Sequence, residues 1–106
     1  MFSPKQEDIM KSACGEFGRG QIIIAIEEMS ELTKELTKAY RGLWNKKNTA
    51  EEIADVYIML YQMQYFLDVD DKTIQPIIDM KLKRLEQLLE NPFDSDIDSF
   101  DIPCRD

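Results

Sequence analysis

The chain has 106 residues, 43% of them hydrophobic, enough for one small domain with a modest core that self-association would help to enlarge. Its formal net charge of -8 argues against nonspecific binding to nucleic acid or to an anionic membrane, because both need a basic footprint. It contains no histidine, which removes Ser-His and Cys-His nucleophile pairs and the usual zinc sets and leaves carboxylates, lysine or a hard metal ion for any catalysis.

In chain order, Ser3, Pro4 and Gln6 form a capping signature, so a short first helix is expected from Pro4 to Cys14, ended by Gly15, Gly18 and Gly20. From Gln21 to Arg41 the residues Ile22, Ala25, Met29, Leu32, Leu36 and Ala39 recur at helical spacing, and Gly42 stands where a helix C-terminus favours glycine. After the turn-rich "GLWNKKN", Thr49 and Glu52 read as a second capping box opening a helix. Its run "VYIMLYQMQYFL" is apolar almost all round and belongs in a core or a subunit interface. A further helix is expected to start with Thr73 as N-cap, to tolerate Pro76 in its first turn and to stop near Glu90.

The expected fold is therefore all-α: a helical bundle of one short N-terminal helix and three longer ones within residues 1–90. Residues 91–106 read as a mobile acidic tail that Phe93 or Phe100 could anchor. "DSDIDS" in that tail imitates a calcium loop but has Ser99 where the loop requires glycine and Arg105 where it requires glutamate. No apolar run of about 18 residues and no secretory leader is visible, so a cytoplasmic protein without a membrane span is expected, with Cys14 and Cys104 as ordinary thiols.

The carboxylates carry the chemistry. At 100° per residue Glu28, Glu31 and Glu35 fall within about 60° of one another beside the apolar stripe. Glu27, Glu31 and Glu35 repeat at the interval where a surface helix would place Glu before Lys, and each like-charge pair costs about 0.2–0.5 kcal/mol. On the next helix Glu52 and Asp55, three apart, share a face at the mouth of the most apolar segment. The Thr49 capping box would account for Glu52, but it leaves Asp55 unexplained. Two antiparallel helices bearing Glu28, Glu31, Glu52 and Asp55 would converge on a hard cation, and oxygen-only ligation with room for phosphate suits Mg2+.

"EEMSE" followed by "EIAD" resembles the EExxE and ExxD signature of the MazG-like all-α nucleoside triphosphate pyrophosphohydrolases, and the likeness runs from Gln21 to Leu89 through "KLKRL". The resemblance implies that Glu28, Glu31, Glu52 and Asp55 bind Mg2+ and that Glu27 supports a ligand or orients the attacking water. It implies cleavage of a nucleoside triphosphate between the α and β phosphates, giving the monophosphate and pyrophosphate. It makes Lys81 and Arg84 phosphate contacts and Gln21 a substrate contact. A helix end enriched in cations would explain Lys81 and Arg84 as well, and Trp44 suits packing better than stacking on a base. The single short domain and the apolar helix suggest a homodimer or homotetramer, with Lys81 and Arg84 able to act in trans. The alternative is a noncatalytic helical interaction module that retains the fold. Glu35 lies one turn beyond the signature and is expected to be solvent-exposed or paired with Lys38.

Overall fold

A computed structural model describes residues 1–91, so the acidic tail, its anchor residues Phe93 and Phe100, the calcium-like stretch and Cys104 lie outside the described residues. Four helices are present, α1 Pro4–Phe17, α2 Gly20–Tyr40, α3 Lys46–Phe66 and α4 Asp71–Glu90, with no strand among the described residues. The all-helical expectation holds. None of these helices is long and apolar enough to cross a membrane. The chain divides into a unit from Met1 to Val69 and a second that begins at Asp70.

In the first unit, α1 starts as its sequence dictates. Ser3 Oγ accepts from the Gln6 amide at 3.1 Å while Gln6 Oε1 accepts from the Ser3 amide at 2.9 Å. The helix continues past Cys14 to Phe17. A single glycine costs about 1 kcal/mol inside a helix, and burial of Met10 and Cys14 helps offset Gly15. The break falls at Gly18, whose φ of 56° suits glycine and ends the helix, and α2 begins two residues later. At the other end of α2, Leu43 N–H donates to Lys38 O and Gly42 N–H to Ala39 O, a Schellman closure that uses the φ of 81° at Gly42.

Helix α3 begins earlier than expected. Asn45 is its N-cap, with Oδ1 accepting from Asn48 N–H at 3.0 Å, and the Thr49 hydroxyl donates to the Asn45 carbonyl. The Thr49–Glu52 capping box does not form, because the asparagine one turn upstream offers a cap that adds a turn of helix. The end of α3 repeats the Schellman pattern, with Val69 N–H on Gln64 O and Asp68, at φ 57°, in the position usually held by glycine.

Helices α2 and α3 run antiparallel. On α2 the covered positions Gln21, Ala25, Glu28, Leu32 and Glu35 alternate steps of four and three, and on α3 the answering positions include Glu52, Asp55, Met59 and Gln62. The buried core is small: Met10, Cys14, Ala25 and Met59, with the amides of Gln21 and Gln62 among them. Of the apolar run on α3, only one side is covered; Ile53, Tyr57 and Leu60 stay exposed at helical spacing.

In the second unit, Asp70 rather than Thr73 caps α4, its Oδ1 accepting from both the amide and the hydroxyl of Thr73 at 3.0 Å. Pro76 thus sits inside the helix, where it supplies no N–H to the carbonyl of Lys72. The helix stops at Glu90, as expected, and buries none of its residues.

Candidate metal centre

The α2–α3 seam carries the acidic motifs into contact. Gln21 meets Gln62 at one level, and seven residues farther along α2, seven back along α3, Glu28 hydrogen-bonds Asp55. Seven residues are two turns on each helix, so the same faces meet again. Carboxylate oxygens of Glu28, Glu52 and Asp55 lie within 4.8 Å of one another, and all three residues are half-buried.

These charges are poorly compensated. The two ion pairs on α2 join Lys34 to Glu31 and Lys38 to Glu35, each at 3.2 Å, and neither reaches Glu28, Glu52 or Asp55. Glu52 Oε2 is buried with no hydrogen-bond partner. Such an oxygen forfeits hydration without replacing it. The hydrogen bond to Asp55 raises the Glu28 carboxyl above its ordinary value, helped by burial and by the charges of Asp55, Glu52 and Glu31. Burial, then Asp55, Glu31, Glu35 and Glu51, pushes Glu52 up. A cation would reverse the sign of both effects. The donor set is all oxygen and contains an orphaned buried acceptor, so these residues fit a hard divalent ion.

The sequence-expected residues divide as follows. Glu28, Glu52 and Asp55 are brought together. Glu31 lies near enough to raise both glutamates, but its carboxylate is turned to Lys34 and its side chain is 49% exposed. Glu27 is exposed beside Glu28 and outside the three-carboxylate group. Gln21 is buried and gives its Nε2 proton to Gln62 Oε1 at 2.6 Å, a packing role in this conformation. Lys81 and Arg84 are three apart on α4, in the second unit. Trp44 is exposed in the loop before α3.

Glu35 makes the Lys38 contact but is not solvent-exposed: its side chain is only 12% accessible and it acts on Glu52. Gln62 was not anticipated. Its signal was a polar residue within "LYQMQYF", a run otherwise suited to burial.

In comparisons with known proteins, no family model, no curated protein and no solved structure matches the chain.

Proposed function

We propose that the chain is a Mg2+-dependent nucleoside triphosphate pyrophosphohydrolase of the MazG-like, all-α kind. The observation that carries this reading is the Glu28, Glu52 and Asp55 cluster on an antiparallel helix pair, with Glu52 Oε2 buried and unbonded. The EExxE and ExxD spacing of "EEMSE" and "EIAD" supports it independently.

Glu28, Glu52 and Asp55 would hold the ion, joined by Glu31 after release from Lys34, a surface pair that costs little to break. Bound Mg2+ supplies Lewis acidity and charge neutralisation at the phosphates. Water oxygen bonds to the α phosphorus, the bridging bond to the β phosphate breaks, and pyrophosphate leaves. Glu27, accessible beside the cluster, receives the water proton or orients that water. Lys81 and Arg84 are the phosphate contacts that the family resemblance implies. The uncovered stripe Ile53, Tyr57 and Leu60 supports a homodimer or homotetramer, and it is also what favours the second reading, a noncatalytic interaction module.

Pyrophosphate release from a panel of NTPs and dNTPs, with Mg2+ and with chelator, tests the reading. Wild type should turn over at least one nucleotide only with Mg2+. Asp55→Asn and Glu52→Gln should lose at least about a hundredfold in kcat/KM, the scale of removing one group that stabilises transition-state charge. No turnover by folded wild-type protein, or equal turnover in both variants, rejects the enzyme and leaves the interaction module.

A further inference from the structure

The α2–α3 pair is tied at one end by its short connection, Arg41 to Asn45, which Leu43 and Gly42 close with hydrogen bonds to the last turn of α2. At the other end no connection joins the two helices, and the tie is polar. Gln21 Nε2 donates to Gln62 Oε1 at 2.6 Å, with Gln21 8% and Gln62 5% exposed. Helix α1 joins the same contact, since the buried Cys14 Sγ lies 3.6 Å from the Gln62 backbone carbonyl. Burial pushes that thiol up, so it stays protonated and donates. The Glu28–Asp55 contact lies between the two ties, two turns or about 10 Å from the glutamines.

An apolar seam alone would set the axial position of the helices loosely. Ala25 and Met59, buried in that seam, are one small and one flexible side chain, and apolar contact has no direction. A hydrogen bond does have one, and it is lost within a few tenths of an ångström of stretch or a sharp bend. A slip by one residue, about 1.5 Å, would part Glu28 from Asp55 and would also leave two amides buried and unpaired. Two leucines would fill these positions without the desolvation that an amide suffers. A polar pair kept at such positions specifies register, the best attested task of a buried polar group between helices.

We propose that Gln21 and Gln62 are positioning residues for the acidic centre: they fix the axial offset of α2 against α3 and so hold Glu28 opposite Glu52 and Asp55 at the spacing a divalent ion needs. Such constellations tolerate displacements of about 0.5 Å, a third of the rise of one helical residue. This inference rests on the reading of Glu28, Glu52 and Asp55 as metal ligands. It gives Gln21 a different task from the substrate contact that the family resemblance implies.

Mg2+ binding to the full chain by calorimetry, beside thermal denaturation in chelator and the pyrophosphate assay, tests the proposal. Wild type should bind Mg2+, and Glu52→Gln should abolish that binding, which marks the centre. Gln21→Met combined with Gln62→Met keeps side-chain shape and leaves no amide unpaired, so helical signal and Tm should match or exceed wild type. The same double variant should bind Mg2+ at least about tenfold more weakly, the scale of a small misplacement of ligating groups. Gln21→Asn, still polar but one methylene short, should weaken Mg2+ as well, and it keeps the test decisive if the double variant does not fold. Undiminished Mg2+ affinity in either folded variant, or a wild type that binds no Mg2+, overturns the positioning role. So does a raised nucleotide KM at unchanged Mg2+ affinity, which would return Gln21 to substrate contact. Mg2+ binding that depends on the glutamines in a chain that releases no pyrophosphate keeps the positioning role and rejects the hydrolase; release indifferent to them does the reverse.

Discussion

Glu52 is the residue whose state decides most at the acidic centre. Its carboxyl and that of Glu28 are held above their ordinary values, so the folded chain binds more protons than the unfolded chain between the ordinary carboxylate range and the raised values. Stability should therefore be greatest below that range and fall as pH rises through it, opposite to the usual behaviour of a salt-bridged carboxylate. Thermal denaturation with chelator should give a higher Tm in mild acid than at neutral pH, and Mg2+ should raise the neutral Tm more than the acid one. A Tm that rises with pH in chelator would contradict the raised carboxyls of Glu28 and Glu52. At this scale the i, i+3 carboxylate pairs were legible, because helical periodicity alone puts each pair on one face. The burial of Glu35 and the lock between Gln21 and Gln62 were not, since each depends on what the opposite helix supplies at that level.

The helices show where local rules compete. Ser3 had no rival as a cap, and its box formed as read. Thr49 and Thr73 each had an Asn or Asp one turn upstream, and in both cases the upstream residue won. The longer helix gains backbone hydrogen bonds and still satisfies its first amides. Asn45→Ala should therefore cost about 1 kcal/mol in urea unfolding, and Thr49→Ala clearly less; the reverse order would restore the capping box. The outcome matters beyond α3, because a Glu52 freed from capping is available to the acidic cluster.

For the whole molecule, the number and order of helices could be read from periodicity and turn residues, whereas the division of exposed from covered apolar faces could not. Among the described residues the buried apolar core is limited to Met10, Cys14, Ala25 and Met59. On α3 of the first unit, Ile53, Tyr57 and Leu60 remain accessible at helical spacing, an apolar stripe of the kind that a partner covers. Sedimentation should give a mass that is a multiple of the 12.4 kDa chain, and Leu60→Glu should shift it toward the single chain while the helical signal is kept. A monomeric wild type would leave that stripe to a different protein.

The two-turn match between α2 and α3 also determines how the gene can change length. One codon inserted between Ala25 and Glu28 would turn Glu28, Glu31 and Glu35 together by about 100° relative to Gln21 and Ala25, so the α2–α3 seam could not keep both levels in contact. The same codon inserted among Arg41 to Asn45, between the helices, would leave both faces in phase. Distant descendants should thus preserve the intervals 21 to 28 and 55 to 62 while the stretch joining the helices grows or shrinks, so a search built on one fixed overall spacing would overlook them.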